Sequence, residues 1–246
     1  MEKRKLDLTS RALHILAMTF MLMDHMWATV FSDYQWLTQV GRIAYPIFAF
    51  MLVEGFVHTS NFKKYMGRML IFAVITEIPF NLMVADTVFY PYHQNVLWTF
   101  VIALLLMYIN ELAKKKDKWW LTLITAAATC LIGYILGIVT FSDYNGPGVL
   151  MVLIFYFFRG RNWWNYVLQL VAMYYINFEL LRGLTINVEL FGHSFELVQQ
   201  GLALLALPFI WLYQGRRGKK TKAFQYFCYA FYPMHMLVLW FVMKIT

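Results

Sequence analysis

Asp24 and His25 stand side by side near the end of the run Leu13 to Trp27, and both are able to do acid–base chemistry. The run is otherwise apolar and long enough to enter a bilayer. Ionisable groups in hydrocarbon are costly, so they mark either a functional site or a paired structural network. A neutral imidazole, with a pKa of about 6.5, takes a proton from an attacking hydroxyl or amine. A carboxylate on its other ring nitrogen would fix the tautomer and stabilise the imidazolium. Asp24 does not do this unaided, because adjacent helix positions diverge by about 100°. Arg42 and Asn95 are the candidates to pair with Asp24, and Glu77 is the candidate to hold His25. His14, Met18, Met21 and His25 are spaced 4, 3 and 4 apart on one helix face, which is either a cavity wall or a Met-rich packing stripe. Packing is the expected role for His14, and chemistry for His25.

Glu77-Ile-Pro-Phe-Asn81 places Glu77 and Asn81 on one face. Pro79 cannot donate to the Ile75 carbonyl, and in a membrane such a group lines a wet cavity or marks a kink. Glu54 and His58 are four apart and read as an interfacial pair. Lys63, Lys64 and Arg68 follow them, a basic mouth suited to a phosphorylated cytosolic donor or a plain topology signal. There is no Gly-x-Ser-x-Gly elbow, and neither Cys130 nor Cys228 neighbours a histidine, so a covalent serine or cysteine mechanism lacks its parts. The histidines are singletons with no His-x-x-x-His pair, and no metal is expected. Two cysteines in apolar runs read as buried thiols rather than a disulfide framework.

The elements that must position these residues follow from composition. The 246 residues are 61% hydrophobic and 14% charged, whereas a soluble domain is about half apolar and about a quarter charged. This implies one transmembrane domain over 1–246, an all-α polytopic membrane bundle in the cytoplasmic membrane. Spans of about twenty residues are expected at 11–31, 37–58, 67–85, 95–113, 119–140, 147–159, 163–181, 196–214 and 223–243, about nine in all. Alternate loops carry 18 of the 21 basic residues. By the positive-inside rule these loops are cytoplasmic, which puts the N-terminus inside and the C-terminus outside. The net charge of +8 then reflects topology and contacts to anionic lipid rather than nucleic acid, since no basic soluble domain exists to bind it. The basic N-terminus leads into a run with no small-residue cleavage site, so retention is expected. On this topology Asp24, His25, Arg42, Glu77, Asn81, Asn95, the turn 141–148, Arg182, His193 and Glu196 gather in the outer half. His235 lies about midway along the last helix.

In this order, Asp24-His25, Gly41-Arg42-Ile-Ala-Tyr-Pro46, Glu54-Gly55-Phe56, Arg68, Glu77-Ile-Pro-Phe-Asn81, Asn95-Val-Leu-Trp-Thr99 and Tyr232-Pro233-Met-His235 resemble the TraX family over nearly the whole chain. Its founding member acetylates the N-terminus of conjugative pilin. The family looks related to membrane acyltransferases in which a histidine at the end of the first helix is held to be catalytic and acyl-CoA is the donor. The pattern often has Asp where this chain has Asn81. The resemblance implies acetyl transfer from cytosolic acetyl-CoA to an amine or hydroxyl acceptor, a protein N-terminus or a glycan, at the outer face. It implies a catalytic group of His25, Asp24, Glu77 and Arg42. Donor contacts would come from Lys64, Arg68 and His235, and acceptor contacts from Asn81 and Asn95. The rival reading is a proton-coupled transporter or permease with His25, Glu77 and Glu54 as relay. Such proteins often carry internal repeats, and none is evident here. A non-catalytic membrane partner is the third reading.

Overall fold

The protein is described by a computed structural model covering residues 7–190, 193–216, 218 and 221–245. Lys3, Arg4, Lys5, Arg217, Lys219 and Lys220 of the basic loops lie outside the described residues. The helices in chain order are α1 (Ser10–Thr29), α2 (Trp36–Gly41), α3 (Ala44–Val57), α4 (Phe62–Ala85), α5 (Val96–Lys114), α6 (Trp119–Val139), α7 (Asn145–Phe157) and α8 (Trp163–Tyr174), then α9 (Ala206–Leu212) and α10 (Lys222–Ile245). A π-helical stretch, Tyr175–Leu181, extends α8, and a 3-10 stretch, Gln199–Leu205, leads into α9.

Helix therefore occupies each of the nine expected stretches, but membrane-crossing length and apolarity do not. Among the described residues five segments have both: Trp36–Val57, Phe62–Ala85, Val96–Lys114, Trp119–Val139 and Lys222–Ile245. α1 is 20 residues long, but His14, Asp24 and His25 lower its mean hydropathy. α7, at 13 residues, extends only about 20 Å. Lipid-facing surface is legible on α6 and α10. Leu131, Ile132, Ile135 and Val139 on α6, and Val238 and Phe241 on α10, are exposed. Apolar side chains at that density favour hydrocarbon over water.

Between the π-helical and 3-10 stretches the chain forms an antiparallel hairpin, β1 (Thr185–Leu190) with β2 (His193–Val198), pairing Asn187 with Glu196 and Ile186 with Leu197. The alternation Thr-Ile-Asn-Val-Glu-Leu has the period of two that a strand needs. Glu196 and His193, expected to flank helices, sit on this hairpin, and helix begins later than the expected 196.

The chain divides into two compact units, Met1–Met51 with Gly160–Thr246, and Leu52–Arg159. In the first, Thr9 caps α1 by accepting from the Ala12 amide at 3.2 Å. The chain before α1 is tied down through Leu8 N–H to the Leu212 carbonyl at 3.1 Å and an Asp7–Arg216 ion pair. In the second unit α7 is the core, with Val149, Met151, Leu153 and Phe155 fully buried against α5 and α6. α6 approaches closely through Gly137, where a Cβ would lie 2.5 Å from the Asn145 carbonyl oxygen. Small residues at helix contacts serve membrane bundles in this way, because dispersion and close backbone approach replace the hydrophobic drive.

The segments before α5 and before α7 are joined by a short parallel bridge. Gln94 N–H donates to the Phe141 carbonyl at 2.9 Å, and Asp143 N–H to the Gln94 carbonyl at 3.0 Å. The Thr99 hydroxyl donates to the Asp143 carbonyl at 2.7 Å. His93 Nε2 stands 3.5 Å from Asp143 Oδ1 and packs edge-on against Phe80. The Asp143 hydrogen bond raises the His93 pKa above its ordinary value. Burial works against this, and the charges of Asp143 and Glu77 add to it. A raised folded-state pKa means stability that is complete below about pH 6.5, the ordinary histidine value, and is lost as pH climbs through the folded value. Thermal midpoints of the purified protein should fall between pH 6 and pH 8.5, and Asp143→Asn should flatten that slope. An unchanged slope in Asp143→Asn would remove His93–Asp143 as its source.

Candidate functional site

The first unit holds the Asp-His pair. Asp24 forms an ion pair with Arg42 and accepts from the Thr38 hydroxyl at 2.7 Å. Thr38 also accepts from Gln199 Nε2 at 3.2 Å. Arg42 Nε donates to the Thr38 carbonyl at 3.3 Å and Nη1 to Gln200 Oε1 at 3.4 Å. Gln200 Nε2 in turn donates to Asn177 Oδ1 at 3.0 Å, and Asn177 Nδ2 to the Met173 carbonyl at 2.7 Å. α1, α2, the 3-10 stretch and the π-helical stretch are thus linked by one polar chain, in which Thr38, Gln199, Gln200 and Asn177 are buried. The π-helical stretch is a device often found at functional positions. Gly41 lets α2 lie on the carboxylate, since a Cβ there would come 2.5 Å from Asp24 Cβ.

His25 meets another imidazole. Its Nδ1 is 2.7 Å from His235 Nε2, and the rings lie nearly parallel at 4.9 Å. His235 Nδ1 is 2.7 Å from the carbonyl of Phe231, one turn back on α10, and His235 is buried. A carbonyl only accepts, so the proton is on His235 Nδ1. In the neutral pair His235 Nε2 is then the acceptor, His25 Nδ1 is the donor, and the lone pair of His25 is on Nε2. The Tyr232 ring lies 6.5 Å from that of His25. His14, by contrast, bonds the Ser10 carbonyl of its own helix at 2.8 Å and packs edge-on against Phe224, the packing role expected of it.

In the second unit Glu77 Oε2 accepts from Asn95 Nδ2 and from Trp98 Nε1, the latter at 2.9 Å. Asn95 also donates to the Ala73 carbonyl at 2.9 Å, and its Oδ1 caps α5 by accepting from the Leu97 amide at 3.1 Å. Glu77 Oε1 and Asn81 Oδ1 are covered and have no hydrogen-bond donor among the described residues. A buried acceptor left in that state costs about 1–3 kcal/mol. Asn81 Nδ2 donates to the Val88 carbonyl at 3.2 Å. Glu54 pairs with Arg159 at 2.6 Å and with His58 at 3.8 Å. Lys64 is exposed, and the Arg68 guanidinium stands 6.0 Å from the Tyr65 ring.

The comparisons with known proteins bear on what these networks serve. The family described as TraX protein matches residues 9–243. This chain belongs to the TraX family. A relative, the probable fimbrial assembly protein FimC, serogroup H1, of Dichelobacter nodosus, is 29% identical over 248 residues, covering 96% of each chain. No solved structure matches. The TraX match takes in both polar networks, from Asp24 to His235.

Of the two expected partners for Asp24, Arg42 meets it, while Asn95 spends both amide hydrogens on Glu77 and Ala73. Asn95, expected to contact an acceptor, therefore acts as a helix cap and carboxylate donor. Glu77, expected to hold His25, has its hydrogen bonds from Asn95 and Trp98. His235, expected among the donor contacts, meets His25. The sequence alone does not single out Thr38, Asn177, Gln199 or Gln200, and it offers Trp98 only as part of the stretch Asn95 to Thr99. The adjacent Gln199-Gln200 in an apolar stretch was the available signal, since amides in hydrocarbon need partners.

Removing one member of a withdrawn ion pair strands the other. Asp24→Ala and Arg42→Ala should each cost about 3 kcal/mol, and the double variant should cost clearly less than the sum. Thermal unfolding of the three variants in nanodiscs checks this, and strict additivity would show that the pair is not coupled.

Proposed function

We propose that the protein is an integral membrane acyltransferase in which His25 is the general base. It moves an acetyl group from acetyl-CoA to an amine or hydroxyl acceptor. The observation that carries this reading is the His25–His235–Phe231 chain, which leaves a lone pair on His25 Nε2. Membership of the TraX family supports acetyl transfer as the chemistry. The name of the Dichelobacter nodosus relative, which refers to fimbrial assembly, favours a protein N-terminus as the acceptor.

In the reaction His25 Nε2 takes the proton from the acceptor N–H or O–H as that atom bonds to the thioester carbonyl carbon. The C–S bond then breaks, and the departing sulfur receives the proton from Nε2, leaving CoA as free thiol. His235 is the positioning residue. It holds His25 in one tautomer and accepts from Nδ1–H while the imidazolium exists. Asp24 and Arg42 neutralise each other and fix α1 against α2, so they orient the base instead of reacting. Lys64 and Arg68 supply cationic groups for the donor's phosphates, and cytosolic basic loops favour an anionic donor.

The test is thiol release from acetyl-CoA, with an amine-bearing peptide as acceptor, by wild type, His25→Ala and His235→Ala in nanodiscs. Release should fall about a hundredfold or more in His25→Ala. It should fall by about tenfold in His235→Ala, with an altered pH profile, because the tautomer is no longer held. Equal rates in wild type and a well-folded His25→Ala would overturn the assignment. Proton-coupled uptake without thiol release would put a permease in its place.

A further inference from the structure

Asp24, Glu54 and Glu111 are each answered by an arginine or lysine: Arg42, Arg159 and Lys114. Glu77 is not. Among the described residues it has no ion-pair partner within contact distance: its hydrogen bonds come from the neutral Asn95 amide and Trp98 indole, both on Oε2, and His93, paired to Asp143, acts on it through charge alone. Oε1 is covered and receives no donor. Four residues on, along the same face of α4, Asn81 is 1% exposed and its Oδ1 also receives none. Positions four apart on a helix are neighbours. Two acceptor oxygens one turn apart, one belonging to a carboxylate, call for a ligand that brings both hydrogen-bond donors and positive charge.

We propose that Glu77 Oε1 and Asn81 Oδ1 form a binding site for a primary ammonium group. An ammonium has three N–H donors, enough to serve both oxygens with one to spare. It supplies the charge that the neutral donors on Oε2 do not. Asn95 is the N-cap of α5 and Trp98 belongs to its first turn, so the carboxylate is held at a helix N-terminus and its free oxygen keeps a set direction. Naming the ammonium as that of an amine acceptor rests on the acyl-transfer reading. The existence of the ammonium site does not, and the experiment measures binding alone.

The full chain in phosphatidylcholine nanodiscs is titrated with methylammonium at pH 7, reading the thermal midpoint. A saturable rise is expected. Tetramethylammonium, which has the charge and no N–H, should give none, and neither should sodium at equal ionic strength. His25→Ala should bind methylammonium as wild type does, which separates this site from the catalytic proposal. Glu77→Gln should weaken binding tenfold or more. Trp98→Phe keeps the carboxylate and removes one of its neutral donors, so it should bind several-fold more tightly, and it decides the matter where Glu77→Gln does not fold. Competition by an alanyl peptide with a free N-terminus, but not by its N-acetylated form, would assign the site to a peptide amine. Weaker methylammonium binding in phosphatidylethanolamine nanodiscs would assign it to a lipid headgroup. Equal responses to methylammonium, tetramethylammonium and sodium would overturn the proposal, as would unchanged affinity in both Glu77→Gln and Trp98→Phe. The two oxygens would then hold water alone.

Discussion

A carboxylate carried on an apolar helix must be answered within the protein, because hydrocarbon offers it nothing. In the first unit Arg42 answers Asp24, and much of the local architecture follows. α2 has to lie against α1, which requires a residue without a side chain at position 41. The guanidinium has donors left over, and these draw in Thr38 and Gln200. Gln200 then needs Asn177, which the π-helical stretch presents. The ion pair is thus less a source of net stability than of geometry, as is common for charges withdrawn from water. What it fixes is the segment of α1 that bears His25.

The two units treat their carboxylates differently. Asp24 is neutralised by a cation and further satisfied by a hydroxyl. Glu77 is steadied by an amide, an indole and the start of α5, with one oxygen unserved. The first arrangement suits a group whose task is to hold other groups in place. The second keeps a charge without an ion-pair contact in a fixed direction, which is costly unless something is meant to meet it.

Much of this was legible in the sequence. Hydropathy placed the helices, because membrane spans must be long and apolar. Asp24, His25, Arg42 and Glu77 stood out because ionisable groups in such segments are rare. Their partners were harder to read. Arg42 was found for Asp24 because a cation is the obvious complement. The contact of His235 with His25 is not legible, since a helix late in the chain does not declare which earlier helix it meets. Asn95 looked like a site residue, and its role as the cap of α5 lay in backbone geometry. The hairpin was passed over because its strands are short and lie against a strongly apolar stretch, where period two is easily lost in the helical background. α1 counted as a span by length, although its polar residues make it the least apolar of the long helices.

Phe231 is the quietest member of the His25–His235–Phe231 chain, contributing only a backbone oxygen. That oxygen belongs to α10 itself, one turn before His235, so the proton arrangement of His25 is referenced to the register of a helix 210 residues away in sequence. Sliding or rotating α10 relative to α1 carries the ring and its anchor together, and what changes is the 2.7 Å link to His25. The His25 imidazole is therefore clutched rather than welded. Engagement of two helices decides whether its tautomer is defined, and a membrane that shifts their tilt acts on that tautomer without touching the ring.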